Sequence, residues 1–363
     1  MPDTPIGIAM IGTGGIALAN HLPGFGMCPQ ARVVALCDSS PIALHRAVEQ
    51  TGIDAGFSDY RQVLARDDVD AVVVATPNYT HAEIVLAAVG AGKHVMCEKP
   101  LAMNLAQAME MYRAAEAAGV RHMTAFTYRF VPAMHYMAHL VKSGKLGKIY
   151  HFRAQRFQDW GSRGLGWRQV KKLAATGELG DMLSHRIDFG HVLAGPIRRV
   201  VADLKQFVET RDGQPSDLDD WVGMLAQFER GATGVLESTK LATGRGEGGQ
   251  SRDYCEINGT EGSAVYLLGR PTRIEIGKKG GAGLEEVDVP PEFLKWPGSP
   301  RDPRQGDPIQ TFRYDQDWEF VQAILEQRPC RPSFKDGVMV QAVMEAAVRS
   351  AEQSTWVDVE KVD

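Results

Sequence analysis

The chain has 363 residues, of which 44% are hydrophobic and 23% charged, and its formal net charge is −5. This composition is that of a globular protein of about two domains and excludes disordered and collagen-like chains. The acidic balance offers no basic surface for nucleic acid or for anionic membranes. The five cysteines lack a CxxC pair, which predicts reduced thiols and no zinc site. No apolar run approaches ~20 residues and no basic signal segment occurs at Met1–Pro5, so we expect a cytoplasmic protein without a membrane span.

Short apolar runs alternate with helix-like segments through the first third of the chain. Helical periodicity is clear at Ala82–Ala91 and Leu105–Ala118. Continuous apolar strands separated by helices predict a parallel sheet that is buried on both faces. The predicted strands are Ile6–Ile11, Arg32–Cys37, Ala71–Ala75, His94–Cys97 and His122–Phe126.

The pattern changes after about residue 130, where neighbouring strands of mixed polarity predict a largely antiparallel, open sheet. We therefore predict an α/β protein with a doubly wound Rossmann domain at 1–128 and an α/β domain at 129–363. A C-terminal helix could pack back on the first domain. The predicted later elements are strand Ile149–Phe157, hairpins Trp221–Phe228/Thr233–Leu241 and Tyr254–Asn258/Ser263–Leu268, and helices Asp315–Gln327 and Asp336–Gln353.

A glycine-rich loop, Gly12-x-Gly14-x-x-Ala17, follows the first predicted strand and opens a helix. Gly12 permits a tight turn, and Gly14 lets backbone N–H groups approach a pyrophosphate at the helix N-terminus. Asp38 ends the next strand, where a carboxylate can bind ribose hydroxyls and repel a 2′-phosphate. The alternatives are a structural turn and a helix cap after Ser39-Ser40. Together the loop and the acid predict a dinucleotide site that favours NAD over NADP.

Two further segments carry groups suited to proton transfer. Lys99, after the fourth strand, could stabilise negative charge on a substrate oxygen, or it could be a solvated lysine beside a proline turn. Asp181 and His185 are four residues apart, so on a helix they share a face, and His185 could accept a hydroxyl proton. The alternative is an N-capping Asp181 with His185 packed behind it.

His135 and His139 are also four residues apart. No Glu accompanies them in the HExxH pattern, so a surface helix is a better interpretation than a metal site. We predict no metal.

Four motifs in order resemble one known family. The chain resembles the glucose–fructose oxidoreductase, inositol dehydrogenase and rhizopine-catabolism (Gfo/Idh/MocA) family, and EINGTEGSA (256–264) and PSFKDG (332–337) extend the resemblance over nearly the whole chain. It implies a Rossmann domain, a second domain whose open sheet often forms the oligomer interface, NAD(H) or NADP(H), and oxidation or reduction of a secondary carbinol. The motifs are the loop at 12–17, ATPNYTH at 75–81, CEKP at 97–100 and GDMLSHRID at 180–188.

The resemblance also implies roles for individual residues. Lys99, Asp181 and His185 would be catalytic, with His185 as proton acceptor. The same three would bind substrate together with Arg129 and Arg156, which belongs to a polar and aromatic stretch at 153–167. The residues implied in cofactor binding are Gly12, Gly14, Gly15, Ile16, Asp38, Ser39, Thr76, Asn78, His81, Glu98, Lys99, Trp167, Arg168 and Tyr314.

Some positions depart from the family's common pattern. The often GGG-like stretch before the D-x-x-x-H helix is here Thr176-Gly177-Glu178-Leu179-Gly180, and a common N-x-R-F run is here Thr127-Tyr128-Arg129-Phe130. These departures bear on the substrate and not on the fold.

The favoured function is an NAD-dependent dehydrogenase acting on a sugar, glycoside or inositol. The alternatives are an NAD-requiring glycoside hydrolase of the same family and a dinucleotide-binding regulator without catalysis. Apolar residues at Val222, Met224 and Ala226 predict an outward sheet face and hence a homodimer or homotetramer. A solvated sheet with its polar residues outward is the other possibility.

Overall fold

The computed structural model describes residues 4–247 and 252–362, so Met1–Asp3 lie outside it. The chain forms two compact units, which are described separately. The first contains residues up to Thr127 together with Gly298–Gly306 and Gln310–Val338, and the second contains the remainder. The predicted second domain, 129–363, thus includes two segments that group with the first unit.

Three of the α-helices begin at capping residues that the sequence supplies. The side chains of Ser40, Asp59 and Asn104 each accept a backbone N–H in the first turn, and Gly52 and Gly119 end two helices in the left-handed conformation. In chain order the helices are α1 (Leu22–Gly26), α2 (Pro41–Thr51), α3 (Tyr60–Leu64), α4 (His81–Gly90), α5 (Leu105–Ala118), α6 (Pro132–Lys142), α7 (Lys171–Ala174), α8 (Ser184–Ala194), α9 (Pro308–Thr311), α10 (Tyr314–Leu325) and α11 (Phe334–Gln353).

Two π-helical segments occur in the described part of the chain, at Ala17–His21 immediately before α1 and at Leu179–Leu183 immediately before α8. In chain order the strands are β1 (Ile6–Ile11), β2 (Ala31–Cys37), β3 (Gly56–Phe57), β4 (Ala71–Val74), β5 (His94–Cys97), β6 (His122–Thr124), β7 (Ile149–Phe157), β8 (Ile197–Lys205), β9 (Thr210–Arg211), β10 (Gln214–Pro215), β11 (Trp221–Phe228), β12 (Thr233–Thr239), β13 (Arg252–Gly259), β14 (Gly262–Leu267), β15 (Arg273–Lys278), β16 (Leu284–Asp288) and β17 (Val357–Asp358).

The first unit is built on a six-stranded sheet in the order β3-β2-β1-β4-β5-β6, and every pair of neighbours is parallel. All four residues of β4 are fully buried, as expected for a strand covered on both faces. This order is that of a doubly wound dinucleotide-binding fold, so the predicted Rossmann domain is confirmed. The carboxyl ends of β1, β4 and β5 therefore meet at one edge of the sheet.

The second unit is built on a nine-stranded sheet in the order β16-β15-β14-β13-β7-β12-β11-β8-β17. Its neighbours are antiparallel except for β7 and β12, which are parallel. The prediction of a mostly antiparallel second sheet is thereby confirmed.

The faces of that sheet differ from the prediction. Val222, Met224 and Ala226 are at most 3% exposed, whereas Leu225 between them is 48% exposed. Because successive strand residues point to opposite faces, the three predicted outward residues lie on the buried face and Leu225 on the open one. No described helix is both long and apolar enough to cross a membrane.

Candidate active site

The glycine-rich loop joins β1 to the helical segment that precedes α1. Gly12 has a φ of +93°, and a Cβ there would lie 2.5 Å from the carbonyl oxygen of Ala75, so only glycine fits this turn. At Gly14 and Gly15 a Cβ would meet no atom within 4 Å, so this side of the loop is open. Ile16 follows, half-buried, in the first helical turn. The loop can therefore bring backbone N–H groups to a pyrophosphate at the helix N-terminus.

Asp38, at the end of β2, is tied to this loop. Its Oδ2 accepts hydrogen bonds from Thr13 N at 2.8 Å and from Thr13 Oγ1 at 3.1 Å, and its Oδ1 accepts from Ser40 N at 2.8 Å. The cap of α2 is Ser40, whose Oγ accepts from Ala43 N, so Asp38 does not cap that helix. The half-buried carboxylate is thus held beside the glycine loop, with Ser39 exposed next to it.

His81 begins α4 and links two turns at the edge of the sheet. Its Nε2 lies 3.0 Å from the carbonyl oxygen of Thr76, and its Nδ1 lies 3.1 Å from that of Pro100. The ring is fully buried, which lowers the pKa of His81. Both ring nitrogens of His81, a residue expected to lie along the cofactor, face backbone carbonyls. His81 holds the ATPNYTH turn, including the buried Asn78, against the turn after β5.

The His21 ring links the carboxylates of Glu98 and Asp317, next to the turn that carries Lys99. His21 Nε2 donates to Glu98 Oε1 at 3.0 Å, and His21 Nδ1 donates to Asp317 Oδ1 at 2.8 Å. The His21 side chain is 1% exposed and that of Asp317 is fully buried. Glu98 Oε2 also accepts from Lys99 N at 3.2 Å. The turn that presents Lys99 is therefore connected through His21 to α10, which also carries the half-buried Tyr314 at its start.

The ionisation of these three side chains follows from the two carboxylates. Burial alone would lower the pKa of His21, but Asp317 and Glu98 raise it to about 10. Burial raises the pKa of Asp317 to about 6, against the opposing effect of His21. Burial would likewise raise the pKa of Glu98, but the bond from His21 and the charges of His21 and Lys99 lower it. His21 is thus a buried imidazolium that neither sequence pattern nor spacing indicated.

In the second unit, Asp181 and His185 occupy one continuous helical segment, as predicted. Asp181 lies in the π-helical turn and His185 in the first turn of α8. The segment is capped by Asp219, whose Oδ1 accepts from Gly177 N at 2.6 Å and whose Oδ2 accepts from Leu179 N at 2.8 Å. The cap is therefore Asp219 and not Asp181. π-Helical turns are frequent at functional sites.

Asp181 has a cationic neighbour. Arg168 Nε lies 3.6 Å from Asp181 Oδ1, and the Arg168 guanidinium stacks on the ring of Trp167 at 4.3 Å. The Asp181 side chain is 20% exposed and that of Arg168 is 47% exposed. The structure thus joins the predicted Trp-Arg pair to the D-x-x-x-H helix, a connection that the sequence did not indicate.

The ring of Tyr128 packs against His185 on one side and a buried cation on another. The centroids of the Tyr128 and His185 rings are 4.7 Å apart, edge to face, and the Arg186 guanidinium lies 5.0 Å from the Tyr128 centroid. His185 is 2% exposed. A large aromatic side chain therefore fixes the orientation of the imidazole.

Arg129 and Arg156, which were expected to bind substrate, each form an ion pair with an aspartate. Arg156 is 2% exposed, and its Nη1 donates at 2.8 Å to Asp253, which also accepts from Arg186. The guanidinium of Arg156 is therefore held in a buried ion cluster. The Arg129 guanidinium forms a two-point ion pair with Asp188, with Nε 2.7 Å from Oδ2.

Within the described residues, no group of three or more His, Cys, Asp and Glu side chains is arranged to hold a metal ion. His135 and His139 lie on α6 and pack against Phe293, with ring centroids 5.2 Å and 4.8 Å away. Their four-residue spacing therefore serves an aromatic contact.

Two segments of the sequence match models of known protein families. Residues 6–126 match the oxidoreductase family with an NAD-binding Rossmann fold, and residues 134–265 match the GFO/IDH/MocA C-terminal domain. These ranges contain the glycine loop, Lys99 and the D-x-x-x-H helix.

Named relatives are similar over most of the chain. Levoglucosan dehydrogenase from Pseudarthrobacter phenanthrenivorans is 32% identical over 92% of this chain and 90% of its own length. A solved structure of levoglucosan dehydrogenase in complex with NADH and levoglucosan has a TM-score of 0.91, with 32% identity, and covers 99% of this chain and 100% of that one. D-glucoside 3-dehydrogenase from Escherichia coli is 33% identical over 65% of this chain and 68% of its own length.

Proposed function

Since the chain belongs to the Gfo/Idh/MocA oxidoreductase family and its first unit is an NAD-binding Rossmann domain, we propose that it oxidises a secondary alcohol of a sugar. The observation that carries the proposal is the capped helix on which Asp181 and His185 lie at four-residue spacing. The relatives described above are dehydrogenases, and they give no support to a glycoside hydrolase or a regulator.

The residues of the first unit suit NAD. The open side of Gly14 and Gly15 leaves room for a pyrophosphate, and the Asp38 carboxylate beside Thr13 would accept hydrogen bonds from a ribose. When bound, NAD supplies the hydride acceptor. The preference over NADP rests on the Asp38 charge, which would repel a 2′-phosphate.

The protein's own groups would handle the proton and the charge. His185 takes the hydroxyl proton on an imidazole nitrogen, and Asp181 stabilises the imidazolium that results. Lys99 offsets the negative charge that develops on the carbinol oxygen. Trp167 and Arg168 join the site through the contact of Arg168 with Asp181, and Tyr314 and Thr76 are proposed as cofactor contacts.

We further propose that the substrate is a pyranose whose anomeric carbon is blocked, as in an anhydrosugar or a glycoside. Two similar proteins are named for levoglucosan and for D-glucosides, and both substrates carry an ether-type oxygen at the anomeric carbon. Such a sugar cannot be oxidised at the anomeric carbon, and its ring hydroxyls are secondary alcohols of the kind that the proposed reaction oxidises. Free aldoses and inositols would then be poorer substrates.

The test is a panel assay of the purified protein. NADH formation would be followed by absorbance with levoglucosan, methyl glucosides, glucose, xylose and myo-inositol, and aglycone release would be measured in parallel. We expect NADH with the blocked pyranoses and no aglycone release. Aglycone release without net NADH would replace the proposal with the hydrolase, and NADH only with inositol would overturn the substrate class.

We also propose a homo-oligomer that buries the open face of the second sheet. Leu225 pairs across the strands with Val201 and Val235, so an apolar row runs along this face. Burying such a row would stabilise a dimer or tetramer. A monomeric mass by sedimentation at micromolar protein concentration would contradict this.

A further inference from the structure

Glu178 occupies the position where this chain departs from the glycine-rich pattern before the D-x-x-x-H helix. It immediately precedes the π-helical turn that contains Asp181, and it is fully buried. An isolated carboxylate in such a position would lose most of its hydration, so its charge must be compensated or its proton retained.

The contacts of Ser238 are compatible with a proton on Glu178. Ser238 Oγ lies 3.0 Å from the carbonyl oxygen of Arg156 and 2.6 Å from Glu178 Oε1, and Ser238 is fully buried. A hydroxyl has a single proton, and a carbonyl oxygen can only accept. If Ser238 donates to Arg156, the short second bond requires a proton from Glu178. The other oxygen, Glu178 Oε2, has no hydrogen-bond partner among the described residues.

The charges around Glu178 do not provide a dedicated counter-ion. Lys240, the residue after β12, is one cation near Glu178. Its Nζ donates to the carbonyl oxygen of Asp219 at 2.9 Å and lies 3.3 Å from Asp220 Oδ1. Asp181 on the same helix and the Asp219 carboxylate at its start are both anionic neighbours. Arg156 on β7 is bonded to Asp253, which Arg186 shares. Burial, with Asp181 next, raises the pKa of Glu178 to about 8.

We propose that Glu178 is held as a neutral carboxylic acid that donates to Ser238, and that its neutrality keeps a second negative charge away from Asp181. Glu178 is then a positioning residue for the proton acceptor His185, an inference that rests on the proposed function. When Glu178 ionises, the added negative charge beside Asp181 favours the protonated form of His185, so His185 keeps its proton to higher pH before the sugar binds. The proton lost by Glu178 passes to solvent, and no bond of the substrate is involved.

The variant E178Q tests the protonation state directly. Its amide N–H can donate to Ser238 as the acid does, so it mimics the neutral form. The control is E237Q. Glu237 precedes Ser238 on β12, and its half-buried carboxylate accepts a hydrogen bond from Trp221 Nε1. We expect the infrared carbonyl stretch of a protonated carboxylic acid in the wild-type protein near neutral pH, retained in E237Q and lost in E178Q. The same band in E178Q would overturn the assignment.

Unfolding by urea gives a second readout that needs no activity. A buried acid whose folded pKa is about 8, against 4.5 for its ordinary value, binds its proton more tightly when folded, so its ionisation destabilises the fold. The free energy of unfolding of the wild type, compared with that of E178Q, should therefore fall as the pH rises from about 4.5 to about 8. Above that pH the difference should stay constant. A constant difference across this range would contradict a neutral Glu178.

The pH–rate profile tests the connection with His185. For the wild type, the pH dependence of kcat/KM with a sugar substrate should differ from that of E178Q above about pH 8, where only the wild type gains a charge beside Asp181, and the two profiles should coincide below that pH. Coincident profiles would overturn the positioning role. If none of the tested sugars supports NAD reduction by the wild type, the proposed function fails. The infrared and unfolding results still decide whether Glu178 carries a proton.

Discussion

The imidazole of His21 lies 2.8 Å from the carboxylate of Asp317, although 296 positions separate these two residues in the chain. The other ring nitrogen contacts Glu98, next to Lys99, at 3.0 Å. One buried cation thus holds two carboxylates that would otherwise repel each other. The segment after the glycine loop, the turn after β5 and helix α10 are joined at this point.

Replacing His21 by alanine should destabilise the protein strongly. The change leaves the carboxylates of Glu98 and Asp317 in the interior without their cation, and breaking a buried pair in this way costs about 3–5 kcal/mol. Urea unfolding of the wild type and of His21→Ala measures the loss. The control is His45→Ala, because His45 and Glu49 form a 3.4 Å pair on the exposed face of α2. That exposed pair should contribute about 0.5 kcal/mol or less.

The contribution of His21 should also depend on pH. Its pKa is raised from 6.5 to about 10 on folding, so its stabilisation is complete below about pH 6.5 and is lost as the pH rises through about 10. The stability difference between the wild type and His21→Ala should shrink over that range. A difference that grows with pH would show that His21 is neutral in the folded protein.

Asp38→Ala should weaken NAD binding and reduce the discrimination against NADP. The change removes the acceptor expected for the ribose hydroxyls and the partner of Thr13, and hydrogen bonds to a charged group contribute about 1.5–3 kcal/mol. The dissociation constant for NADH, measured by fluorescence titration, should rise about 10–100-fold. Asp59→Ala removes a capping aspartate of the same unit, at the start of α3, and should leave the constant unchanged. Equal use of NAD and NADP by the wild type would show that Asp38 has another role.

His185→Ala should leave NADH binding nearly unchanged and should slow oxidation by about 10²–10⁴, the usual effect of removing a general base. Steady-state kcat and a separate NADH titration distinguish the two effects. His191→Ala, on the same helix near its C-terminal end, is the matched control and should keep its turnover. Near-normal turnover in His185→Ala would exclude this helix as the source of the proton acceptor and would favour Lys99.

Lys99→Ala should lower kcat by about 10²–10³, because a cation near a developing alkoxide is removed. The control is Lys93→Ala, since Lys93 lies just before β5 and Lys99 just after it, and Lys93 Nζ donates to the carbonyl oxygen of Arg66. Both variants should fold alike by circular dichroism. Equal losses in the two variants would point to a general effect on β5 and not to catalysis.

Much of the fold could be predicted because its signals are local. Strands β1, β5 and β7 and helix α5 begin and end where their apolar patterns do. Two-residue strands such as β3 are too short to carry a pattern. Strand β8 was not predicted because its buried and exposed residues do not alternate strictly. The parallel pairing of β7 with β12 could not be predicted, since their partners are set by the whole sheet.

The candidate site shows the same division. The glycine loop, Asp38, Lys99 and the D-x-x-x-H pair follow from residue type and spacing. The bond between His21 and Asp317 does not, because no short-range pattern relates positions so distant in sequence. Arg156 appeared to belong to a polar strand surface, and only the structure shows that it pairs with Asp253 in the interior.

The assignment of residues 310–338 to the first unit has a consequence for how this protein is made. As the chain leaves the ribosome, His21 and Glu98 emerge long before Asp317. The contact of His21 with Asp317 can therefore form only after most of the polypeptide has been synthesised. A gene fragment that stops after residue 128 would encode every strand of the six-stranded sheet and still lack α10. Expression of the dinucleotide-binding half as an independent product would therefore require the late segment to be supplied, for example by fusing it to the shortened chain.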